Sequence, residues 1–263
     1  MRSLISANEH ISSKGISAAL AVGSPRRGSI EVAPRTIRRS LKEMNYKNST
    51  PTRVPKLTDA QRRKRIEWCR KHLKFDWRRV ILSDETTIEL DLCKLRQCHP
   101  RGKRPEKSCT KFSRKLMFWG AICANRTGPL SKVSGTLNSD RYIELLETQL
   151  WPWMAENHCQ GHRFQQDNAP CHVSKKSQAF FRNKKLQVLD WPANSPDLNP
   201  IENIWGILKS AIEKRGPKTM DELEAMVLDE WTKIPKLTIL NTIRSLPKRI
   251  EQVLERDGEK CDY

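Results

Sequence analysis

The sequence predicts an α/β protein: a sheet of mixed direction flanked by helices, preceded by a small all-α segment. Three observations carry this reading. From Asp76 onward, short apolar runs bounded by turn residues alternate with stretches of helical periodicity. The first 75 residues read instead as basic helices joined by polar loops. The chain has 263 residues, 37% of them hydrophobic, enough for one sizeable domain with its own core and a small second one.

Residues 1–28 are polar and Ser-rich, with a short helix expected around residues 16–22. Ser24-Pro25-Arg26-Arg27-Gly28-Ser29 reads as a basic loop. Pro34 then suits a first helical turn, and Ile37, Leu41 and Met44 recur at i, i+4, i+7 on one face. Arg35, Arg38, Arg39 and Lys42 fall largely off that stripe. That is the layout of a helix-turn-helix recognition helix, which places basic side chains in a major groove. An ordinary amphipathic surface helix would carry the same stripe. Residues 45–56 hold two prolines and no periodicity, so they read as a linker. Thr58 then caps a basic helix from Asp59 to about Leu73, with Ile66, Trp68, Cys69 and Leu73 on its apolar side. Its run Arg62-Arg63-Lys64-Arg65 reads either as a nuclear import signal or as a solvated face that also touches phosphate.

Beyond Asp76 the first strand covers residues 80–82 and continues toward 88–90. Further strands are expected at 115–122, 130–133, 163–166 and 186–189. A helix over 140–153 buries Tyr142, Leu145, Leu146 and Leu150, and another occupies residues 174–183. Three more begin near Pro200, Met220 and Leu237. The chain shows no internal repeat.

Charge narrows the function classes. Net charge is +19, which points to a polyanionic partner. Residues 1–75 hold 18 Lys+Arg against 5 Asp+Glu, net +13, and residues 76–263 hold 31 against 25, net +6. The N-terminal third is therefore the expected footprint on nucleic acid. Eight cysteines are scattered without a CxxC pair, which argues against a disulfide framework and for a reducing compartment. His158, Cys159 and His162 cluster, but no second ligand pair stands at finger spacing, so structural zinc is not expected. No apolar run approaches ~18 residues, so no transmembrane helix is expected.

The candidate site lies in three carboxylates. Asp84 closes the apolar run Val80-Ile81-Leu82-Ser83, and Asp167 closes Phe164-Gln165-Gln166. Each is expected at a strand end, where ligands collect in open α/β sheets, although a strand-end Asp is also a common turn residue. Glu202 falls at the third position of a helix started by Asn199 and Pro200. There it either completes a capping box with Asn199 or reaches into a site at the helix mouth. Two strand-end aspartates and one helix-start glutamate are the donor set that two-metal phosphoryl transfer requires. His172 either contacts DNA or packs beneath the site, with packing favoured. Trp205, Leu208 and Ile212 continue the apolar face of the Glu202 helix and read as core.

Three blocks carry a family resemblance: Val80-Ile81-Leu82-Ser83-Asp84-Glu85, Gln165-Gln166-Asp167-Asn168-Ala169-Pro170-Cys171-His172 and Ser195-Pro196-Asp197-Leu198-Asn199-Pro200-Ile201-Glu202-Asn203-Ile204-Trp205. In this order, with 34 residues between Asp167 and Glu202, they resemble the signature blocks of the Tc/mariner transposase superfamily, a DDE group with an RNase H-like fold. Phe118-Trp119-Gly120-Ala121 and Leu246-Pro247-Lys248-Arg249 are similar to further family blocks, and the resemblance runs from about Val32 to the end. It implies a DNA transposase whose triad Asp84, Asp167 and Glu202 binds two Mg²⁺ ions, with Mn²⁺ as a substitute. The reaction it implies is cleavage at terminal inverted repeats followed by strand transfer into target DNA. The partners it implies are duplex DNA and a second copy of the chain, in the nucleus, with no membrane.

The implied organisation is a partial helix-turn-helix DNA-binding domain over 1–50, a basic linker helix over 51–75 and an RNase H-like DDE catalytic domain over 76–263. Arg26, Arg27, Arg35, Arg38, Arg39 and Lys42 are the expected DNA contacts. Family members usually carry two helix-turn-helix subdomains, and only the second is recognisable here, so the resemblance implies an N-terminally truncated chain. Two other functions stay open at this point. One is a catalytically silent DNA-binding relic or host-adopted regulator, and the other is an RNase H-like nuclease acting on RNA–DNA hybrids. The helix-turn-helix favours duplex DNA over the hybrid.

Overall fold

The structure, a computed structural model, describes residues 33–44, 57–90, 114–124, 126–159 and 161–262. It divides into two compact units, Met1–Val54 and Pro55–Tyr263. In the first unit, helix α1 spans Pro34–Glu43 with Pro34 in its opening turn. Ile37 is buried, while Arg35, Arg38, Arg39 and Lys42 are exposed. The expected helix at 16–22 and the basic loop with Arg26 and Arg27 lie outside the described residues.

The second unit opens with helix α2, Asp59–His72. Thr58 and Gln61 form a full capping box at its start, each side chain accepting the other's backbone N–H. Its buried face is Arg65, Trp68, Cys69 and His72, at the i, i+3, i+4, i+7 spacing of one helix side. Two sequence expectations are corrected here. Leu73 is 40% exposed, and Arg65 is fully buried, so the run 62–65 is not one solvated basic face. The helix read as a linker is built into the second unit's core.

The sheet has strand order β3-β2-β1-β4, with β1 Val80–Glu89, β2 Lys115–Cys123, β3 Arg126–Val133 and β4 Arg163–Gln165. β1 pairs antiparallel with β2, β2 antiparallel with β3, and β1 parallel with β4, so the direction is mixed as expected. Strand alternation sorts the core into two layers. Val80, Leu82, Phe118 and Ile122 face one side, and Ile81, Trp119 and Ala121 face the other.

The second layer is closed by α3, Ser139–Leu145, which passes through one π turn, Leu146–Leu150, into α4, Trp151–Glu156. Pro152 sits at the start of α4 and has no N–H to give to the ordinary i−4 carbonyl, which accounts for a wider turn just before it. Helix α5, Lys175–Asn183, is capped by Ser174. Residues 186–189 do not form the expected strand but make one isolated parallel bridge, Phe164 to Val188. The neighbouring strand β4 is only three residues long, and Pro192 cannot extend a ladder.

The first layer is covered by α6, Ile201–Arg215, α7, Met220–Thr232, α8, Lys236–Arg244, and α9, Leu246–Glu255. Gly216 stops α6 in the left-handed conformation, with φ 64°. The sequence reading counted three helices after residue 200; α9 is the fourth.

Candidate active site

The fold brings Asp84, Asp167 and Glu202 to one pocket. Asp84 was expected to end a strand, but it lies inside β1, opposite Gly120 of β2. What ends near it is the parallel pairing, whose last pair is Leu82 with Gln165. Ser83 staples the two strands there. Its N–H donates to Gln165 Oε1 at 3.2 Å, and its hydroxyl donates to Gln165 O at 2.8 Å. Asp167 follows two residues after β4. Glu202 is the second residue of α6. All three line a cavity of about 390 Å³, together with Gln165, Asn168, Ser195 and Asn199.

The start of α6 departs from the capping-box expectation. Pro200 occupies the cap position, and no side-chain cap hydrogen bond forms. Asn199 instead accepts the Ile201 N–H through Oδ1 at 3.4 Å and donates through Nδ2 to Ser83 O at 3.1 Å. The asparagine thus ties the Glu202 helix to β1 one residue before Asp84. Glu202 is left to face the pocket.

The electrostatics fit a site built for cations. Burial pushes the Asp84 carboxyl well above the usual range, and the charges of Glu202, Glu85 and Asp167 add to it. Burial also raises Glu202, against the pull of Lys209 and a hydrogen bond with Asp84. Two carboxyls hydrogen-bond to each other only by sharing a proton. Asp84 Oδ2 also accepts the Trp205 indole N–H at 3.3 Å, a contact the sequence reading of Trp205 as core did not include.

Asp167 is held differently. Partial burial works to raise its pKa, but His172 Nδ1 at 2.7 Å and the Ala169 N–H at 2.9 Å outweigh that and hold it below the usual carboxylate range. His172 is 3% exposed and lies under the Tyr142 ring, with centroids 4.2 Å apart, so the packing reading is met and direct DNA contact is not. Its Nε2 lies 3.2 Å from Glu85 Oε1. Burial opposes its charge, yet the two carboxylates raise its pKa to about 10. Glu85 and the His172–Asp167 bond were missed in the sequence. The signal available was strand alternation, which turns Glu85 to the opposite face of β1 from Asp84.

The metal question can be put to the donors. Among the described residues, the ligand atoms that gather within 4.8 Å of one another belong to Glu85, Asp167 and His172. The two carboxylates favour the protonated imidazole of His172, a form with no lone pair to offer a metal. The Asp84, Asp167 and Glu202 set supplies only carboxylate oxygens, which suits a hard divalent cation, and a cation would offset both the burial and the neighbouring charges that raise Asp84. The residues fit such an ion.

A family model described as DDE superfamily endonuclease matches residues 79–224, and a helix-turn-helix model described as Transposase matches residues 2–74. The second begins well before Val32, where the sequence resemblance was first legible. The Tc3 transposase of Caenorhabditis elegans is 34% identical over 218 residues, 80% of this chain and 66% of that protein. The chain thus spans just under two thirds of that relative. The Tc1 transposase of the same species is 30% identical over 239 residues, 87% of this chain and 88% of that protein. Among solved structures, the Mos1 mariner paired end complex with Mn has a TM-score of 0.80 at 21% identity, over 99% of this chain and 78% of that one, a likeness of fold. The chain belongs to the DDE superfamily endonucleases, among the transposases of Tc1 and Tc3 type.

Proposed function

We propose that this chain is a metal-dependent DNA transposase that cleaves at terminal inverted repeats and joins the freed end to target DNA. The observation that supports it most is the convergence of Asp84, Asp167 and Glu202, from three separate elements, on one cavity. In this reading the three would hold two Mg²⁺ ions, with Mn²⁺ able to replace them. Structures of the Mos1 fold relative are described with Mn and with Mg. Bound there, the ions supply an activated water or DNA 3′-hydroxyl and a stabilised leaving oxygen.

The chain's own residues do the rest. His172 holds Asp167 in one orientation, and Trp205 holds Asp84 Oδ2. Arg35, Arg38, Arg39 and Lys42 on α1, with Arg26 and Arg27 before it, contact duplex DNA through phosphate and groove. The active assembly is a homodimer on two transposon ends, in the nucleus. Exposed Arg63 and Lys64 on α2 remain available as an import signal.

The experiment is a cleavage and joining assay on a labelled duplex ending in the element's own inverted repeat. Nicking and joining are expected in Mg²⁺ or Mn²⁺ and absent in EDTA. Salt-sensitive DNA binding with no cleavage under any metal would instead identify a silent DNA-binding protein.

A further inference from the structure

Asp197 lies in the short 3₁₀ turn Pro196–Leu198 that leads into α6, and it is fully buried. It receives an unusual density of donors. Arg65 of α2 grips both carboxylate oxygens, Nη1 to Oδ1 at 3.0 Å and Nη2 to Oδ2 at 2.6 Å. The same guanidinium reaches Ser195 Oγ at 2.5 Å, Gly258 O at 2.9 Å and Glu259 O at 3.3 Å. The Cys261 N–H donates to Asp197 Oδ2 at 3.0 Å. From α9, Arg249 donates to the Asp197 carbonyl at 2.9 Å and to Asn203 Oδ1 at 2.5 Å, while its Nε donates to Ser245 Oγ at 2.9 Å. Glu202 stands between Asp197 and Asn203, both of which Arg249 holds.

We infer that Arg65 and Arg249 are positioning residues for Glu202, and that α2 is a working part of the active site. The inference rests on the reading of Glu202 as a metal-binding carboxylate. Two arguments carry it. First, a buried ion pair adds little stability over an apolar replacement of the same shape, so stability alone does not explain the clasp. A forked guanidinium on a carboxylate does fix direction. Second, Pro200 gives α6 no side-chain cap, and beyond the long Asn199 Oδ1 contact to the Ile201 N–H the polar ties on its first turn reach to other elements. The clasp and the Asn199–Ser83 bond supply those polar ties, beside the packing of buried Ile201 and Ile204 in the core. This also gives a role to two sequence blocks that the chemistry had not absorbed, Ser195-Pro196-Asp197 and Leu246-Pro247-Lys248-Arg249.

The test uses the full chain and the double variant Arg65→Met with Asp197→Leu, which removes both charges together, although the Gly258 carbonyl and the Cys261 N–H lose their partners. Arg249→Lys is the second, milder variant, and it carries the same outcomes should the double variant not fold. Three quantities are read without DNA: circular dichroism, Mn²⁺ affinity by calorimetry, and amide exchange over residues 195–203 in metal-free protein. The expected result is native circular dichroism, Mn²⁺ affinity lowered by roughly tenfold or more, and faster exchange over 195–203 with the sheet unchanged. A folded variant with Mn²⁺ affinity within about twofold of wild type and unchanged exchange would overturn the inference. Glu202→Gln separates the two levels. If it weakens Mn²⁺ binding and the clasp variants do not, the clasp has no positioning role. If Glu202→Gln itself binds Mn²⁺ like wild type, the metal-site reading falls and this inference falls with it.

Discussion

Replacing Gly120 with alanine is expected to damage the core directly beneath Asp84. Gly120 faces Asp84 across the β1–β2 ladder. A Cβ built there would lie 2.6 Å from Trp205 Cη2, 3.3 Å from Trp205 Cζ2 and 3.1 Å from Leu130 Cδ1. Carbon atoms pack comfortably at about 3.5–4.0 Å, so the indole must retreat by close to 1 Å. It has little room to do so. Trp205 is 1% exposed and stacked on Trp231 at 5.1 Å, and its N–H is engaged by Asp84 at 3.3 Å. Overpacking of this kind costs about 1–3 kcal/mol. In a unit of this size each kcal/mol lowers the melting temperature by roughly 2–4 °C, so Gly120→Ala should melt about 2–12 °C below wild type. Trp205→Phe shortens the ring that the new methyl meets. The double variant should therefore be more stable than the two single losses predict, by about 0.5–3 kcal/mol. Calorimetric melting of the four proteins measures this. A Gly120→Ala protein that melts with wild type, or strict additivity in the cycle, would refute the packing argument.

Other expectations follow from the same geometry. His172→Ala removes the bond that orients Asp167 and should weaken Mn²⁺ binding by roughly tenfold; His172 is 3% exposed, so affinity for DNA measured without metal should not change, and a loss of that affinity would contradict its buried role. His72 is buried, stacked on Trp68 at 4.3 Å and donating to its carbonyl, and burial lowers its pKa. The fold therefore favours the neutral ring: the stability is complete above the ordinary value of about 6.5 and is lost as pH falls through the lowered folded value. His72→Phe should accordingly lose less melting temperature than wild type between pH 7.5 and pH 5, and equal losses would count against this. Arg35→Ala, Arg38→Ala and Arg39→Ala should each weaken DNA binding, and each phosphate contact removed should reduce the salt slope by about 1; an unchanged slope in all three would remove α1 from the DNA interface.

Much of the fold could be read in advance because its strands and helices announce themselves locally. The run 115–122 is apolar, β-rich and bounded by charge, and it is a strand. Thr58 with Gln61, and Ser174 before residues 175–183, are local start signals, and both helices begin where these say. What failed depended on distant partners. Asp84 reads as the end of an apolar run, yet it lies inside β1, which continues to Glu89 as the run 88–90 suggested. Residues 186–189 look like a strand but meet a partner only three residues long. Arg65 reads as surface charge, and Asp197, 132 residues away, with Ser195 and the Gly258 carbonyl, makes its burial tolerable. The triad was legible through order and spacing, and so was Asn199 as a residue that starts the Glu202 helix; the roles of Trp205 and Arg65 were not, since each acts through a contact with a remote element, and the His172–Asp167 bond depends on the turn between two residues five apart.

The central claim is that Asp84, Asp167 and Glu202 together form the reactive centre. The most direct measurement is the rate of first-strand nicking, in Mg²⁺, of a duplex ending in the element's inverted repeat, for wild type and for Asp84→Asn, Asp167→Asn and Glu202→Gln. Wild type is expected to nick, all three variants to lose nicking by a factor of about 10³ or more, and DNA affinity measured without metal to stay unchanged. Nicking at the wild-type rate by any one variant that still depends on Mg²⁺ would contradict it.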